Sequence, residues 1–462
     1  MSKLNKPNSS LEEARPFQGM SMVNQNAAGV DIGAHEIMAC VPGPDNTQLV
    51  RSFGNYTADL YAIAKWFGDH NIYTVAMEST GVYWIPLFEV LESQKFNCLL
   101  ISSKSLRRVP GRKSDVIDAQ WIQTLHAYGL LTGSFRPESD LVALRTLLRH
   151  RARLLEHRAP HILHMQKALL QMNLQLSQVL TDITGETGFR IIRAIVDGER
   201  NPNKLAAMRN QRCKKDENEI TKALTGTWRE EHLFVLAQSL ELYDFYTEKI
   251  SACDAQIEHN YGAIRPDWKD HEVVEQFATE HLPRKRLAKN APKDGEQIRI
   301  HLKRICGVDL VAVHGISVSL AQTIITEIGT DMSKFPNEKH FCSWLGLAPK
   351  NEISGGKILV SRTLKTKNRA GQAFRLATVS VMRSDCVFGA FYRRMKSRLG
   401  PAQATVATAH LIARVVYRML KYQVEYEPLS MPEYEKQYHD RQIKYLEKKA
   451  AKFGFQLTPT AT

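Results

Sequence analysis

Four carboxylates are spaced so that they could act on one phosphate. Asp31 stands between Val30 and Ile32 in an apolar, strand-like run, where a charge is costly unless it has a task. Glu78 ends the apolar run Val75-Ala76-Met77 and precedes Ser79-Thr80-Gly81. Asp115 and Asp118 are spaced i, i+3 at the start of a helical pattern, which sets them one turn apart on one face. Cutting a phosphodiester with two Mg²⁺ or Mn²⁺ ions needs several hard oxygen ligands converging on one point, because each ion must hold an attacking or a leaving oxygen. Taken alone, Asp115 reads as a helix cap and Glu78 as a solvated loop residue. The run Val109-Pro110-Gly111-Arg112-Lys113-Ser114-Asp115-Val116-Ile117-Asp118 shifts the balance towards chemistry. Its two cations, Arg112 and Lys113, precede the acids and are placed to hold a scissile phosphate beside them.

The elements that must carry these residues follow from periodicity. Residues 28–39 alternate apolar with small or polar side chains around Gly33 and read as two strands, with a third over 48–53. Residues 58–67 and 83–91 have helical spacing, 73–77 and 97–101 are short apolar strands, and a helix is expected over about 114–128. This βββαβαβα order is that of a ribonuclease H-like fold, so residues 25–135 are expected to form one α/β unit. In such a sheet the strands bearing Asp31 and Glu78 are neighbours, and both carboxylates can reach one cleft.

Further along, the period changes to seven. Leu141, Leu148, Leu155, Ile162, Leu169 and Leu176 recur at that interval, with Leu144, Met165, Met172 and Val179 at companion positions. Leu236, Leu240, Tyr243, Ile250 and Ile257 repeat the seam, so residues 139–261 read as a coiled-coil connector, an antiparallel arm that packs on itself or on a second subunit. A helical spacer and a dimerisation device fit this pattern equally well. Arg151 and Arg158 occupy two companion slots, and Pro160 is expected to kink or break the helix. Residues 262–300, with Arg284, Lys285, Arg286 and Lys289 together, read as a basic linker. Residues 301–425 read as a mainly helical C-terminal domain. Within it, His314-Gly315-Ile316-Ser317 before an amphipathic helix has the layout of a helix-hairpin-helix binder of the DNA backbone, with Ser317 where a second glycine is usual. An ordinary helix pair is the simpler reading of that stretch. A polar leader over 1–24 and a charged helical tail over 426–462 flank the whole.

Charge points to a polyanionic partner. The chain of 462 residues has 62 Lys and Arg against 48 Asp and Glu, a net charge of +14. About two-thirds of that excess falls between residues 361 and 400, where Asp385 is the single acid. Lys357, Lys365, Lys367, Arg369, Arg393, Arg394 and Lys396 are therefore candidate phosphate contacts, alongside Arg112 and Lys113. Seven scattered cysteines without a C-x-x-C pair exclude a zinc ribbon or a disulfide framework. No apolar run is long enough to cross a bilayer and residues 1–24 lack a signal-peptide core, so a reduced, cytoplasmic protein with no membrane partner is expected.

In order and spacing these motifs resemble the DEDD transposases of the insertion-sequence 110 family. The resemblance rests on Val30-Asp31-Ile32-Gly33, Met77-Glu78-Ser79-Thr80-Gly81-Val82-Tyr83-Trp84, Gly111-Arg112-Lys113-Ser114-Asp115 with Asp118, Trp344-Leu345-Gly346-Leu347-Ala348-Pro349, and Ser354-Gly355-Gly356-Lys357. It covers about residues 28–422 and implies a RuvC-like N-terminal domain, a coiled-coil connector and a C-terminal transposase domain. It also implies that Asp31, Glu78, Asp115 and Asp118 ligate metal, as two Mg²⁺ or Mn²⁺ ions. Ser354 matches the family's nucleophile, which would form a phosphoserine link to DNA and free a 3′ hydroxyl for strand exchange. A non-coding RNA encoded by the element, pairing with donor and target DNA, is the further partner implied. By its own residues Ser354-Gly355-Gly356 reads as a hairpin turn, although a serine ahead of two glycines does let the backbone approach DNA closely. The chain is longer than expected for the family, mainly in the leader, 185–230, 262–300 and the tail. Three other readings use the same residues: a two-metal junction nuclease with water as nucleophile, an actin-like ATPase, for which no second Asp-Gly-Gly-type loop follows, and a non-catalytic DNA-binding scaffold.

Overall fold

Alternating apolar residues generate the first sheet, and two faces of different character result. In the computed structural model, which describes residues 20–44, 47–79, 81–102, 115–264, 290–292, 294–363 and 368–458, the chain divides into two compact units, 1–136 and 137–462. The first opens with β1 (Ala27–Ile32), β2 (Glu36–Pro42) and β3 (Gln48–Gly54), paired antiparallel with registers such as Val30↔Ala39 and Ala39↔Arg51. There follow α1 (Thr57–Asp69), β4 (Thr74–Glu78), α2 (Trp84–Ser93), β5 (Asn97–Ile101) and α3 (Asp115–Ala127). β4 pairs parallel with β1 and β5 parallel with β4, giving a five-stranded sheet of order β3-β2-β1-β4-β5. The expected α/β unit is present.

Even-numbered residues of β1 and odd-numbered residues of β4 point to one face. There Ala28, Val30, Val75 and Met77 pack with Ile63 and Phe67 of α1 and Leu87 and Leu91 of α2. The other face receives α3. At Gly29 the two backbones touch: a Cβ there would lie 2.2 Å from Gln123 N and 2.4 Å from Ala119 O. Gln123 Nε2 donates to Ala27 O at 3.2 Å, and Gln48 Nε2 donates to Gln123 Oε1 at 2.6 Å and Thr124 Oγ1 at 3.0 Å. The C-terminal end of α3 is tied to the start of the sheet, since Val23 and Asn24 N–H both donate to Ala127 O and His126 Nε2 bonds Thr74 Oγ1 at 2.9 Å. α3 therefore runs antiparallel to β1, and its first turn arrives at the C-terminal edge of β1 and β4.

The second unit begins with α4 (Ser139–Gln171), which pairs with α9 (Glu230–Ala263). Leu147 meets Cys253 and, eleven residues on, Arg158 meets Thr247, six residues earlier on α9, so the pair is antiparallel. Leu236, Leu240, Tyr243, Ile250 and Ile257 are all buried, as are Leu141, Leu144, Met165 and Leu169. The break expected at Pro160 does not occur; α4 continues through it. Proline removes one N–H and crowds one carbonyl, but the adjoining turns are held from outside the helix. Arg158 lies 5.1 Å over the Tyr243 ring and donates to Thr247 and Asn290, while Met165 and Ala168 are buried one to two turns later.

Between the two long helices lie α5 (Leu176–Val179), α6 (Glu186–Val196), α7 (Pro202–Ala207) and α8 (Glu217–Ala223). Their Ile191, Ile192, Ile195, Leu205 and Ile220 close over Met165, Met172, Leu236 and Tyr243. The additional stretch 185–230 is thus a folded cap on the arm.

The rest of this unit is α10 (Gly295–Cys306), α11 (Val318–Ile328), α12 (Glu338–Trp344), a two-stranded ribbon of β6 (Pro349–Ser354) and β7 (Lys357–Thr363), α13 (Arg369–Val381), α14 (Val387–Leu399), α15 (Pro401–Tyr422) and α16 (Met431–Lys452). Phe341 packs edge-on to Phe374 and against Tyr417 at its centre. Ser317 acts as the N-cap of α11, its Oγ accepting from Leu320 N–H at 3.3 Å. Two acids root the arm in this bundle. Glu327 of α11, buried, accepts from Arg145 at 3.1 Å and Arg149 at 2.7 Å, and Glu138 accepts from Thr330 and Asp331 N–H at 3.3 and 3.0 Å. No helix among the described residues is long and apolar enough to cross a membrane.

Gly29→Ala should destabilise the N-terminal unit by about 3 kcal/mol, because both obstructing atoms are backbone and cannot rotate away; an unchanged denaturant midpoint would show that α3 is less closely seated. His126 is held neutral, since burial lowers its pKa from 6.5. Below that pH the unfolded chain binds a proton that the folded unit refuses, so stability falls as pH drops through it. Denaturant midpoints of the wild type should decline with acid more steeply than those of His126→Gln.

Candidate active site

Asp31 is the residue after Val30 on β1, so the strand period turns it to the same face as Gly29, the face that α3 covers. The register Val30↔Met77, continued by one residue, sets Asp31 beside Glu78 at the ends of neighbouring parallel strands. Asp118 immediately precedes Ala119, whose carbonyl oxygen meets Gly29. Asp31, Glu78 and Asp118 are all half-buried at this one edge. Asp115 is the first residue of α3; its side chain, like Arg112 and Lys113 entirely, lies outside the described residues. Acids in a first turn also suit the positive end of a helix dipole.

Sequence reasoning missed the groups that hold this edge in place. Ser79 donates to Ile101 O from both its N–H and its Oγ, at 2.8 Å each, and fixes the exit of β4. Gly33 N–H donates to Glu36 O at 2.9 Å, and Asn55 Nδ2 donates to Gly33 O at 3.1 Å, closing the turn after Asp31. A serine after a strand and an asparagine in a turn are too common to have signalled this. Among the described residues no group of three His, Cys, Asp or Glu side chains is placed to hold a metal ion, so Asp31, Glu78 and Asp118 share the edge without by themselves making such a group. The chemistry of the donors nevertheless fits Mg²⁺ or Mn²⁺: the set is all carboxylate oxygen, with no sulfur or imidazole to favour zinc or copper.

Ser354 belongs to the other unit. It ends β6, pairs with Lys357, and precedes Gly355 and Gly356, whose φ values of +54° and +76° make the two-residue turn that favours glycine. All of β6 is exposed, so Ser354 and Lys357 are accessible at the tip of the ribbon. The hairpin turn read from the residues is present.

The candidate phosphate contacts divide into two kinds. Arg369 opens α13 and is exposed, as are Lys396 and Arg393 on α14, although Arg393 also donates to Ser384 O at 3.0 Å. Arg394 is half-buried and internally engaged: it donates to the Tyr434 hydroxyl and lies 4.9 and 3.9 Å from the rings of Tyr434 and Tyr438, pinning α16 to α14. Arg375 is likewise structural, donating to Gly346 O at 2.8 Å, and burial lowers its pKa. Lys365 and Lys367 lie outside the described residues. A groove of about 1220 Å³ between α14, α15 and α16 adds Arg398, Arg418 and Arg441. Only Arg398 stood within the basic stretch of sequence; the other two are brought there by folding.

Two family models match the chain, in order. A DEDD model of the insertion-sequence 110 type, described as a transposase, covers residues 28–174, and one described as Transposase IS116/IS110/IS902 family covers residues 309–393. No curated protein matches the chain.

Arg393→Ala with Lys396→Ala is expected to weaken binding to duplex DNA about tenfold and to lower the log–log salt slope by about 2. Arg394→Ala should leave that slope alone and speed proteolysis of α16. Equal slopes for the wild type and the double variant would remove Arg393 and Lys396 from the phosphate-facing set.

Proposed function

We propose, because this chain belongs to the IS110 family of DNA transposases, that it cuts and rejoins the ends of its insertion element through a covalent link between Ser354 and DNA. That the protein is a transposase acting on DNA follows from the family itself. The observation supporting the acidic centre is the convergence of Asp31, Glu78 and the first turn of α3, with Asp118, on one edge of the sheet. We read the unit as ribonuclease H-like, or RuvC-like, from its βββαβαβα order.

The DEDD class depends on divalent metal. Asp31, Glu78, Asp115 and Asp118 would hold it, as two Mg²⁺ or Mn²⁺ ions, and when bound it supplies positive charge against the phosphate being cut. Ser354 Oγ attacks phosphorus and the bond to the 3′ oxygen breaks. Oγ gives up one proton and the departing 3′ oxygen takes one, so a serine phosphoester replaces the phosphodiester and no outside energy is needed. Attack by another strand's 3′ hydroxyl then restores the serine and completes exchange. Arg112, Lys113 and Lys357 hold the non-bridging oxygens during these steps.

Two partners belong to the same proposal. A non-coding RNA encoded by the element would pair with donor and target DNA, and exposed Arg369, Arg393 and Lys396 suit its backbone. A second copy of the chain would dock on the outer face of the arm, where Leu163 and Phe234 are 65% and 63% exposed.

The test is to express the protein with its flanking non-coding DNA, add element-end duplex and Mg²⁺, and look for a protein–DNA adduct on a denaturing gel. The wild type should give the adduct, Ser354→Ala should abolish it, and Asp118→Ala should lower cleavage at least about a hundredfold with DNA binding retained. Cut DNA without an adduct, unchanged in Ser354→Ala, would establish a hydrolytic nuclease instead.

A further inference from the structure

The groove between α14, α15 and α16 takes one exposed guanidinium from each helix: Arg398, Arg418 and Arg441. Among the described residues none of the three has an ion-pair partner. Like charges around one groove repel one another until an anion enters it. Glu425, which also lines it, is already matched by Lys303 at 3.0 Å and does not discharge them. Between the cations the lining is apolar or aromatic. Val424, Leu429 and Tyr438 are 49%, 44% and 36% exposed, and Tyr426 stacks on Phe388 with ring centroids 6.2 Å apart. Arg394, held by Tyr434 and Tyr438, keeps α16 against α14, so these walls are in place before any ligand arrives.

We propose that this groove holds an unpaired stretch of RNA, with Arg398, Arg418 and Arg441 on its phosphates, Tyr438, Val424 and Leu429 against its bases, and Glu427 accepting from a ribose 2′ hydroxyl. The proposal rests on the reading that an RNA is this protein's partner, and adds where and in what form the chain grips it. Unpaired strands are held in this way, by cations that follow the backbone and by flat apolar faces on which bases of any sequence stack. A duplex keeps the faces of its bases inside its own stack and would leave the apolar lining unused. At about 1220 Å³ the groove exceeds the roughly 300–1,000 Å³ of small-molecule sites, which favours a segment of polymer. Glu427 distinguishes RNA from DNA. Its carboxylate lines the groove with no ion-pair partner among the described residues, and beside a phosphate it is repelled unless a donor lies between them. RNA carries such a donor on every ribose, next to the phosphate, and DNA carries none. One carboxylate against three guanidiniums leaves the groove cationic. Gripping bases by their faces selects no sequence, so that task stays with base pairing elsewhere in the RNA.

The experiment measures binding of the full chain to a labelled oligouridine of about a dozen residues, to oligodeoxyuridine of the same length, and to a DNA duplex. The wild type should bind oligouridine about tenfold more tightly than oligodeoxyuridine. Arg398→Ala with Arg418→Ala and Arg441→Ala should weaken oligouridine binding about 50-fold near physiological salt and lower its log–log salt slope by about 2, while the slope for duplex DNA stays as it was. Glu427→Ala should bring the two oligonucleotides within about twofold of each other. All four side chains are exposed, so both variants should unfold at the wild-type midpoint. Unchanged oligouridine affinity in the triple variant overturns the groove assignment. So does a wild type that binds both oligonucleotides equally, or one from which polyglutamate displaces oligouridine as readily as unlabelled oligouridine does, since the groove would then seat an acidic protein segment. Formation of the Ser354 adduct is scored separately, with and without the element's non-coding RNA. An adduct that forms equally well without it overturns the guide RNA, and the loss of oligouridine binding in the triple variant would still support the groove.

Discussion

The approach of β1 to α3 at Gly29 is the constraint on which the N-terminal unit depends. A hydrogen atom is the only side chain that lets the strand lie against Ala119 O and Gln123 N, and this closeness fixes how far α3 stands above the sheet. The glutamines Gln48 and Gln123 then fix its rotation, through hydrogen bonds to β1 and to α3 itself. With height and rotation set, the first turn of α3 has one place to go, the edge where β1 and β4 end. Three acids share that edge because a helix and two strands are locked together several residues away from them.

The second unit is organised by buried charge. Glu327 is almost fully enclosed and is tolerable there because two guanidiniums from α4 neutralise it; removing either side would leave an uncompensated charge. Arg299 and Asp309 form a comparable enclosed pair, with Glu425 accepting from Asp309 N–H. These contacts join segments more than a hundred residues apart in the case of the arm, and they leave the ribbon outside, carried on the bundle but covered by none of its helices.

Much of the first unit was legible because its information is local. Period-two alternation gave the strands, and an acid within an apolar strand marked Asp31. The order of elements then indicated which strands would be neighbours. The tip of the ribbon was legible for a similar reason, since two adjacent glycines require a turn; the chemical role of Ser354 came from family resemblance alone. What could not be read depends on partners distant in sequence. Pro160 suggested a break, yet Tyr243, Thr247 and Asn290 hold the adjoining turns. Residues 185–230 registered only as extra length, because their small helices make sense only once Met165 and Leu236 lie beneath them. Arg394 looked like its neighbours on α14 until Tyr434 and Tyr438, some forty residues on, claimed it.

The paired helices of the arm also have a mechanical meaning. α4 has 33 residues and so extends about 50 Å, with its root clamped at Glu327 and Glu138 and its far end closed by a packed cap. It is a stiff lever with a fixed fulcrum, in which a tilt of about 10° at the root carries the tip about 9 Å. Whatever grips the cap therefore gains leverage over α11 and the bundle behind it, and whatever shifts α11 is amplified at the cap.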